Sequence, residues 1–137
     1  MRPDPFRRDE TKAWLSKMHT DLRSAGADMQ AQPAILEDAL FHCQQAVEKA
    51  LRGFLTWHDR PFRKSHDLRE LGKECVLIDP SLETVLMPAL HLTDYAWKFR
   101  YPGAPSEPTL EEAQESLSLA REVANAISSR LPSEVVP

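Results

Sequence analysis

The chain has 137 residues, of which 42% are hydrophobic and 28% are charged. This balance is typical of one globular domain with its own core. The net charge of −4 at pH 7 gives no overall attraction to nucleic acid or to an anionic membrane. No apolar run is long enough to span a bilayer, and the N-terminus does not resemble a signal peptide, so we expect no membrane association and a cytoplasmic location.

The two cysteines, Cys43 and Cys75, lie in apolar surroundings and do not have the spacing of a metal site or of a disulfide framework. They favour a reduced protein of the cytoplasm. The sequence predicts no metal site and no cofactor.

The first predicted helix covers about residues 9–29, with Asp9 as its N-cap. Its apolar stripe recurs every three or four residues and consists of Trp14, Met18, Leu22 and Ala25. The second predicted helix covers about residues 33–58 and starts at Pro33, a favourable first-turn residue. Its apolar residues cover a broad arc, which predicts a central position in the fold.

After the second helix, Ser65 is the predicted cap of a short helix over "HDLRELGKEC". Ser81 is the predicted cap of the next long helix, about residues 81–100, which Pro88 either kinks or divides. The last helix, about residues 109–131, begins with a capping box formed by Thr109 and Glu112.

No segment alternates between polar and apolar residues as a strand does. We therefore predict an all-α fold, an up-down antiparallel bundle of four long helices plus a short accessory helix. The whole chain, 1–137, forms a single domain, with a core over about residues 9–131 and short flexible tails at both ends.

The stretch "KFRYPG" ends the predicted helix over 81–100. Helical spacing places Arg100 on the same face as Ala89, Leu92, Thr93 and Ala96. A guanidinium on a core-facing stripe requires a partner or an opening to water. Arg100 is therefore either a structural group at a helix end, or a group in a cleft that binds an anion such as a phosphate.

Two further groups of polar residues are candidates for ligand binding. On the second helix, His42, Gln45 and Lys49 share one edge, whereas Gln44 and Glu48 lie on the opposite border of the apolar arc. Glu48 and Arg52 form an i,i+4 pair. Spacing alone favours a solvated helix face for this group.

The loop "RPFRKSHDLR" contributes a small basic cluster of Arg60, Arg63 and Lys64, followed by His66 at a helix N-terminus, where backbone N–H groups favour anions. The alternative is a solvated turn in which Ser65 caps the helix and Asp67 complements the helix dipole. The residues alone favour the solvated turn.

Three segments, "FHCQQAVEKALRGFL", "KSHDLREL" and "LTDYAWKFRYPG", together with the closing "EEAQESLSLAREVANAI", resemble the HEPN domain family in order and spacing. The resemblance covers roughly residues 10–131. It implies a helical bundle that commonly forms homodimers. Many HEPN proteins are RNA-cleaving toxins paired with a nucleotidyltransferase-type antitoxin, and others are accessory domains that bind nucleotides or proteins.

The ribonuclease members of the family carry an Arg followed, after four to six residues, by a His. The resemblance places Arg100 at the position of that Arg, but no His follows His91 in this chain. The absence of the His puts ribonuclease chemistry in doubt, because general acid–base catalysis near neutral pH usually depends on an imidazole. The candidate catalytic residues are then Arg100, Tyr101 and His66.

Two functions remain open. One is a nucleotide- or RNA-binding HEPN module, the toxin-like half of a prokaryotic toxin–antitoxin pair, with a nucleotidyltransferase-type partner protein. The other is a non-catalytic dimerisation adaptor in which Arg100 is structural. The residues predicted to bind the ligand are Arg100, Tyr101, His42, Gln45, Lys49, Arg63, Lys64 and His66.

Overall fold

The computed structural model describes residues 4–103 and 106–137. These residues form five α-helices and no strand, so the predicted all-α bundle is confirmed. The α-helices are α1 (Pro5–Gln30), α2 (Leu36–Trp57), α3 (Leu68–Ile78), α4 (Glu83–Leu86) and α5 (Leu110–Ser128). Three 3₁₀ helices accompany them, Pro80–Leu82, Met87–Ala96 and Ser133–Val135.

Helix α2 lies at the centre of the bundle, as its broad apolar arc predicts. It packs against α1, α3, α5 and the 3₁₀ helix Met87–Ala96. Near its C-terminus seven consecutive residues, Ala50–Thr56, are all buried, so the helix is enclosed on every side there. This position leaves the polar side chains of α2 between neighbouring elements.

The helix starts differ from the predictions because aspartates act as caps. Asp4 caps α1 by accepting a hydrogen bond from the backbone N–H of Arg7 at 2.9 Å, so the predicted Asp9 cap is wrong. Asp67 replaces Ser65 at the start of α3, and Asp79 replaces Ser81 at the start of the next segment. Each carboxylate precedes the free N–H groups of a first turn, which it both bonds and stabilises by charge.

Helix α2 begins at Leu36 rather than at Pro33, and it has no side-chain cap. In contrast, the capping box at the start of α5 is confirmed. The Thr109 hydroxyl accepts from the Glu112 N–H at 3.0 Å, and the Glu112 carboxylate accepts from the Thr109 N–H at 3.3 Å.

The segment predicted as one long helix over 81–100 is divided into the four-residue α4 and the 3₁₀ helix Met87–Ala96. Pro88 has no N–H to donate to the carbonyl of Thr84, and its ring crowds that carbonyl, so the α-helix cannot continue through it. The alternative in which Pro88 divides the helix is therefore correct, and the continuous helix is not.

The 3₁₀ winding also changes which side chains face the core. With three residues per turn, Ala89, Leu92 and Tyr95 align and are buried, and Phe99 is buried beyond the end of the helix. Arg100 is exposed. The inward position predicted for Arg100 is wrong because it assumed α-helical periodicity from Pro88 onward.

None of the helices in the described part of the chain is long and apolar enough to cross a membrane.

Candidate functional site

Arg100 packs over an aromatic ring near the N-terminal end of α2. Its guanidinium carbon is 4.0 Å from the centroid of the Phe41 ring, and its Nη1 atom is 3.9 Å from Asp38 Oδ1. The side chain is 43% exposed. It borders a cleft of about 300 Å³ that is also lined by Ile35, Glu37, Asp38 and Phe99. This cation–π contact positions the guanidinium while part of the side chain stays open to solvent.

The residues around Arg100 expose two aromatic rings and a second cation. Trp97 is 59% exposed and Tyr101 is 73% exposed, although large aromatic side chains are usually more buried. The ammonium group of Lys98 lies 5.1 Å from the centroid of the Phe99 ring. We call Trp97, Lys98, Arg100 and Tyr101 the Arg100 surface.

His42 and Lys49, two of the predicted ligand-binding residues, both contact Asp21 of α1. His42 Nδ1 is 2.8 Å from Asp21 Oδ1, and Lys49 Nζ donates to Asp21 Oδ2 at 2.6 Å. Asp21 is buried, so these two residues join α1 to α2 and do not form a solvated face. The third predicted residue on this edge, Gln45, donates to the side-chain oxygen of Gln44 at 2.7 Å.

Asp38 connects Arg100 to His42. Its Oδ2 atom is 3.3 Å from His42 Nε2, while its Oδ1 atom faces Arg100. Asp28, near the end of α1, completes a group in which Asp28, Asp38 and His42 each offer one atom within 4.8 Å of the others. Burial, followed by the neighbouring Asp38 carboxylate, raises the pKa of Asp28 to about 6.

Gln44, Glu48 and Arg52 form a buried polar network, which corrects the solvated face predicted for Gln44 and Glu48. Glu48 accepts from Gln44 Nε2 at 3.2 Å and from Arg52 Nε at 3.2 Å, and its Oε1 is 2.8 Å from His66 Nδ1. Arg52 also donates to the carbonyl of Ser65 at 2.5 Å. This network fastens the loop between α2 and α3 to the central helix.

The rings of Trp14 and Phe62 enclose the Arg52 guanidinium, whose carbon is 5.7 Å and 5.0 Å from their respective centroids. Its charge is therefore compensated by Glu48, by a carbonyl and by two aromatic faces. One feature of the sequence could have indicated this buried network. Gln44, Glu48 and Arg52 are spaced i,i+4,i+8 on a helix that was predicted to be central.

The basic loop does not form an isolated cationic cluster. Arg63, although 85% exposed, lies 3.3 Å from Glu70 Oε1, and Arg60 lies 3.3 Å from Glu74 Oε2. Lys64 is exposed. The His66 side chain is 71% exposed, and Glu48 fixes its Nδ1 atom. Acidic side chains of α3 therefore neutralise two of the three cations.

The structure thus brings the predicted ligand-binding residues together in other combinations than their positions in the sequence indicated. Arg100 and His42 meet at Asp38, whereas no hydrogen bond or ion pair in the described part of the chain joins His66 to Arg100. Sequence reasoning missed Asp21, Asp28 and Asp38. Only the i,i+4 spacing of Asp38 and His42 could have indicated part of this group.

The comparisons with known proteins give one match. The family model of the HEPN domain matches residues 11–131. No curated protein matches the chain, and no solved structure matches it. The matched range begins within α1 and extends beyond the end of α5, so it includes the Arg100 surface and all the polar groups described above. This chain belongs to the HEPN domain family.

Proposed function

We propose that this HEPN domain binds a nucleotide or RNA through the Arg100 surface. The observation that carries the proposal is that a partly exposed guanidinium stands among two exposed aromatic rings and a lysine within five consecutive residues, 97–101. Aromatic faces stack on bases, and cations contact phosphates, which together are the elements of single-stranded nucleic acid recognition. A guanidinium adds a planar, bidentate phosphate contact.

The charges around the cleft limit how the ligand approaches. Glu37 and Asp38 line the same cleft as Arg100, and both repel phosphate. We therefore expect the phosphate to approach the guanidinium from the side away from Asp38. The net charge of −4 makes such binding depend on this local surface.

The site supports binding better than cleavage. Tyr101 is exposed to solvent, and tyrosine is a poor base near neutral pH. His66 is bonded to Glu48 and does not contact Arg100. His42 is the imidazole linked to Arg100 through Asp38. We therefore assign RNA or nucleotide binding, without a cleavage mechanism, to the Arg100 surface.

The binding proposal is tested by the affinity of labelled single-stranded RNA and of a nucleotide, measured by fluorescence anisotropy. Arg100→Ala should weaken binding by about ten- to a hundred-fold, the loss expected for one charge-assisted contact. Arg100→Lys should restore only part of this loss, because an ammonium lacks the planar fork. The matched control is Arg8→Ala, which removes a partly exposed arginine near the start of α1, outside the predicted ligand-binding residues, and should leave the affinity unchanged.

A second candidate function is a dimerisation adaptor in which Arg100 is structural. The stacking of Arg100 on Phe41 favours it, because that contact joins the end of the 3₁₀ segment to α2. In that case Arg100→Ala lowers the melting temperature, and neither RNA nor a nucleotide binds to the wild-type chain. Measuring both quantities on the same variant separates the two functions.

We further propose that the chain acts in the cytoplasm as the toxin-like half of a pair with a nucleotidyltransferase-type protein. Its expression should then arrest growth, and co-expression of the cognate partner should relieve the arrest. Arg100→Ala should abolish the arrest at equal protein level. Growth that continues at high levels of the folded wild-type chain would contradict the toxin role. The proposal of RNA or nucleotide binding would then be tested by the affinity measurement alone.

A further inference from the structure

Three acceptor groups meet where the end of α1 packs beside the start of α2. Asp28 belongs to α1, and Asp38 and His42 lie one turn apart on α2. One oxygen of each carboxylate and one ring nitrogen of the histidine lie within 4.8 Å of one another. The group adjoins the Arg100 surface through Asp38, which pairs with Arg100, but binding of an ion there requires neither RNA nor a nucleotide.

Hydrogen bonding to Asp21 determines which nitrogen of His42 faces this group. Nδ1 is 2.8 Å from Asp21 Oδ1, and a carboxylate can only accept, so Nδ1 carries a proton. Lys49 donates to the other oxygen of Asp21, which holds that carboxylate in place. In the neutral imidazole, Nε2 then offers its lone pair toward Asp38 Oδ2, 3.3 Å away.

With the imidazole neutral, the atoms that converge here are acceptors, namely His42 Nε2 and the carboxylate oxygens of Asp28 and Asp38. Acceptors converge when a proton or a cation lies between them, and a bound cation takes the place of a proton shared by the two carboxylates. In addition, Asp28 Oδ2 is buried and has no hydrogen-bond partner. Buried polar atoms without a partner are uncommon in native proteins, and an ion is one of the ordinary explanations.

A histidine that donates one ring N–H to a carboxylate is the usual arrangement of a metal-bound imidazole. The carboxylate fixes the tautomer and the ring orientation and makes the second nitrogen a better ligand. Asp21 has this relation to His42, and it is itself buried and bonded to Lys49. The cluster therefore contains an oriented nitrogen ligand besides its two carboxylates.

We propose that Asp28, Asp38 and His42 bind a divalent transition-metal ion, with Asp21 as the residue that orients His42. The ligand set of one imidazole and two carboxylates suits Zn²⁺ or Mn²⁺ better than Ca²⁺ or Mg²⁺, which prefer oxygen ligands alone. Bonds to Zn²⁺ of about 2.0–2.2 Å require the ligand atoms to close by roughly 1 Å, which side-chain rotations of the two aspartates supply.

Isothermal titration calorimetry of the full chain, freed of metal with a chelator and then dialysed, tests the proposal with Zn²⁺ and Mn²⁺ as probes. We expect one ion per chain and weaker binding of Mg²⁺. Asp28→Asn, Asp38→Asn and His42→Gln should each weaken binding by at least about tenfold, and Asp21→Asn by about ten- to a hundred-fold through the orientation of His42.

The matched control is Glu37→Gln, which removes an exposed carboxylate next to Asp38 and outside the group. It changes the net charge as much as Asp28→Asn does. The affinity for Zn²⁺ should stay within about twofold of the wild-type value, as expected for a screened surface charge. The thermal melting temperature provides a second measurement. Zn²⁺ should raise it for the wild-type chain and for Glu37→Gln, but not for Asp28→Asn.

Asp28→Asn is the variant of choice because it removes one of two facing carboxylates and should fold at least as well as the wild-type chain. Absence of Zn²⁺ and Mn²⁺ binding at millimolar concentration would overturn the proposal. Binding that stays unchanged in Asp28→Asn, Asp38→Asn and His42→Gln, all verified as folded by circular dichroism, would also overturn it, since the ion would then be held elsewhere.

Discussion

Glu48 is the residue through which the loop after α2 is attached to the central helix. Its carboxylate is almost fully buried and lies within hydrogen-bonding distance of Gln44, Arg52 and His66. Burial of a carboxylate is unfavourable unless it is paired and bonded, and here three partners compensate for the lost water. Arg52 in turn depends on Glu48, because its own side chain is only 8% exposed.

We expect Glu48→Ala to lower the free energy of unfolding by about 3–5 kcal/mol, because it leaves the Arg52 charge buried without its carboxylate. Urea denaturation measures the change. The matched control is Glu74→Ala, which breaks the exposed pair with Arg60 and should cost no more than about 1 kcal/mol. Equal losses in the two variants would contradict the buried role of Glu48.

At the scale of secondary-structure elements, the contact between α1 and α2 depends on a glycine. A Cβ atom at Gly53 would lie 3.0 Å from Leu15 Cδ2 and 3.3 Å from Trp14 Cβ. The end of the Leu15 side chain can move, but Trp14 Cβ is fixed to the backbone of α1. The two helices can therefore approach closely at this point only without a side chain at position 53.

Two identical substitutions separate this packing effect from helix propensity. Gly26→Ala should raise the free energy of unfolding by about 0.5–1 kcal/mol, because alanine favours a helix interior. Its Cβ would meet only Arg121 Nη2, at an ordinary 3.8 Å. Gly53→Ala should lose this gain and be less stable than Gly26→Ala by at least about 1 kcal/mol, owing to overpacking. The same gain in both variants, measured by urea denaturation, would refute the close-contact explanation.

For the molecule as a whole, the apolar surface that one chain exposes bears on the assembly state. The core of α1, α2, α5 and the 3₁₀ segment is closed within one chain. However, Leu77 and Met87 are exposed beside an apolar groove between α3 and the 3₁₀ segment. Exposed apolar surface of this kind is common at protein–protein contacts.

We predict a homodimer, as the family resemblance implies. Light scattering at micromolar concentration should give twice the chain mass of 15.6 kDa. A dimer that buries apolar surface should also show a melting temperature that rises with protein concentration, because association stabilises the folded form by mass action. A single 15.6 kDa species at all concentrations tested would contradict the prediction.

The sequence by itself determined the all-α class, the family, the central position of α2 and the capping box of α5. These properties depend on local signals, namely apolar spacing and the bonding of a cap to N–H groups three residues away. The broad apolar arc of α2 predicted that several elements would cover it, and they do. Pro88 predicted that the helix over 81–100 would kink or divide, because the N–H that proline lacks removes a hydrogen bond within the same helical turn.

Only the tertiary structure decided the environment of the polar residues. Gln44, Glu48 and Arg52 are spaced as a solvated face would be, and they are buried because the loop after α2 folds back over them. Arg100 turns outward because the segment after Pro88 winds as a 3₁₀ helix. A 3₁₀ helix has three residues per turn instead of 3.6, and the apolar spacing in the sequence did not predict this difference. Asp28, Asp38 and His42 converge from two helices, and long-range packing alone brings their acceptor atoms together.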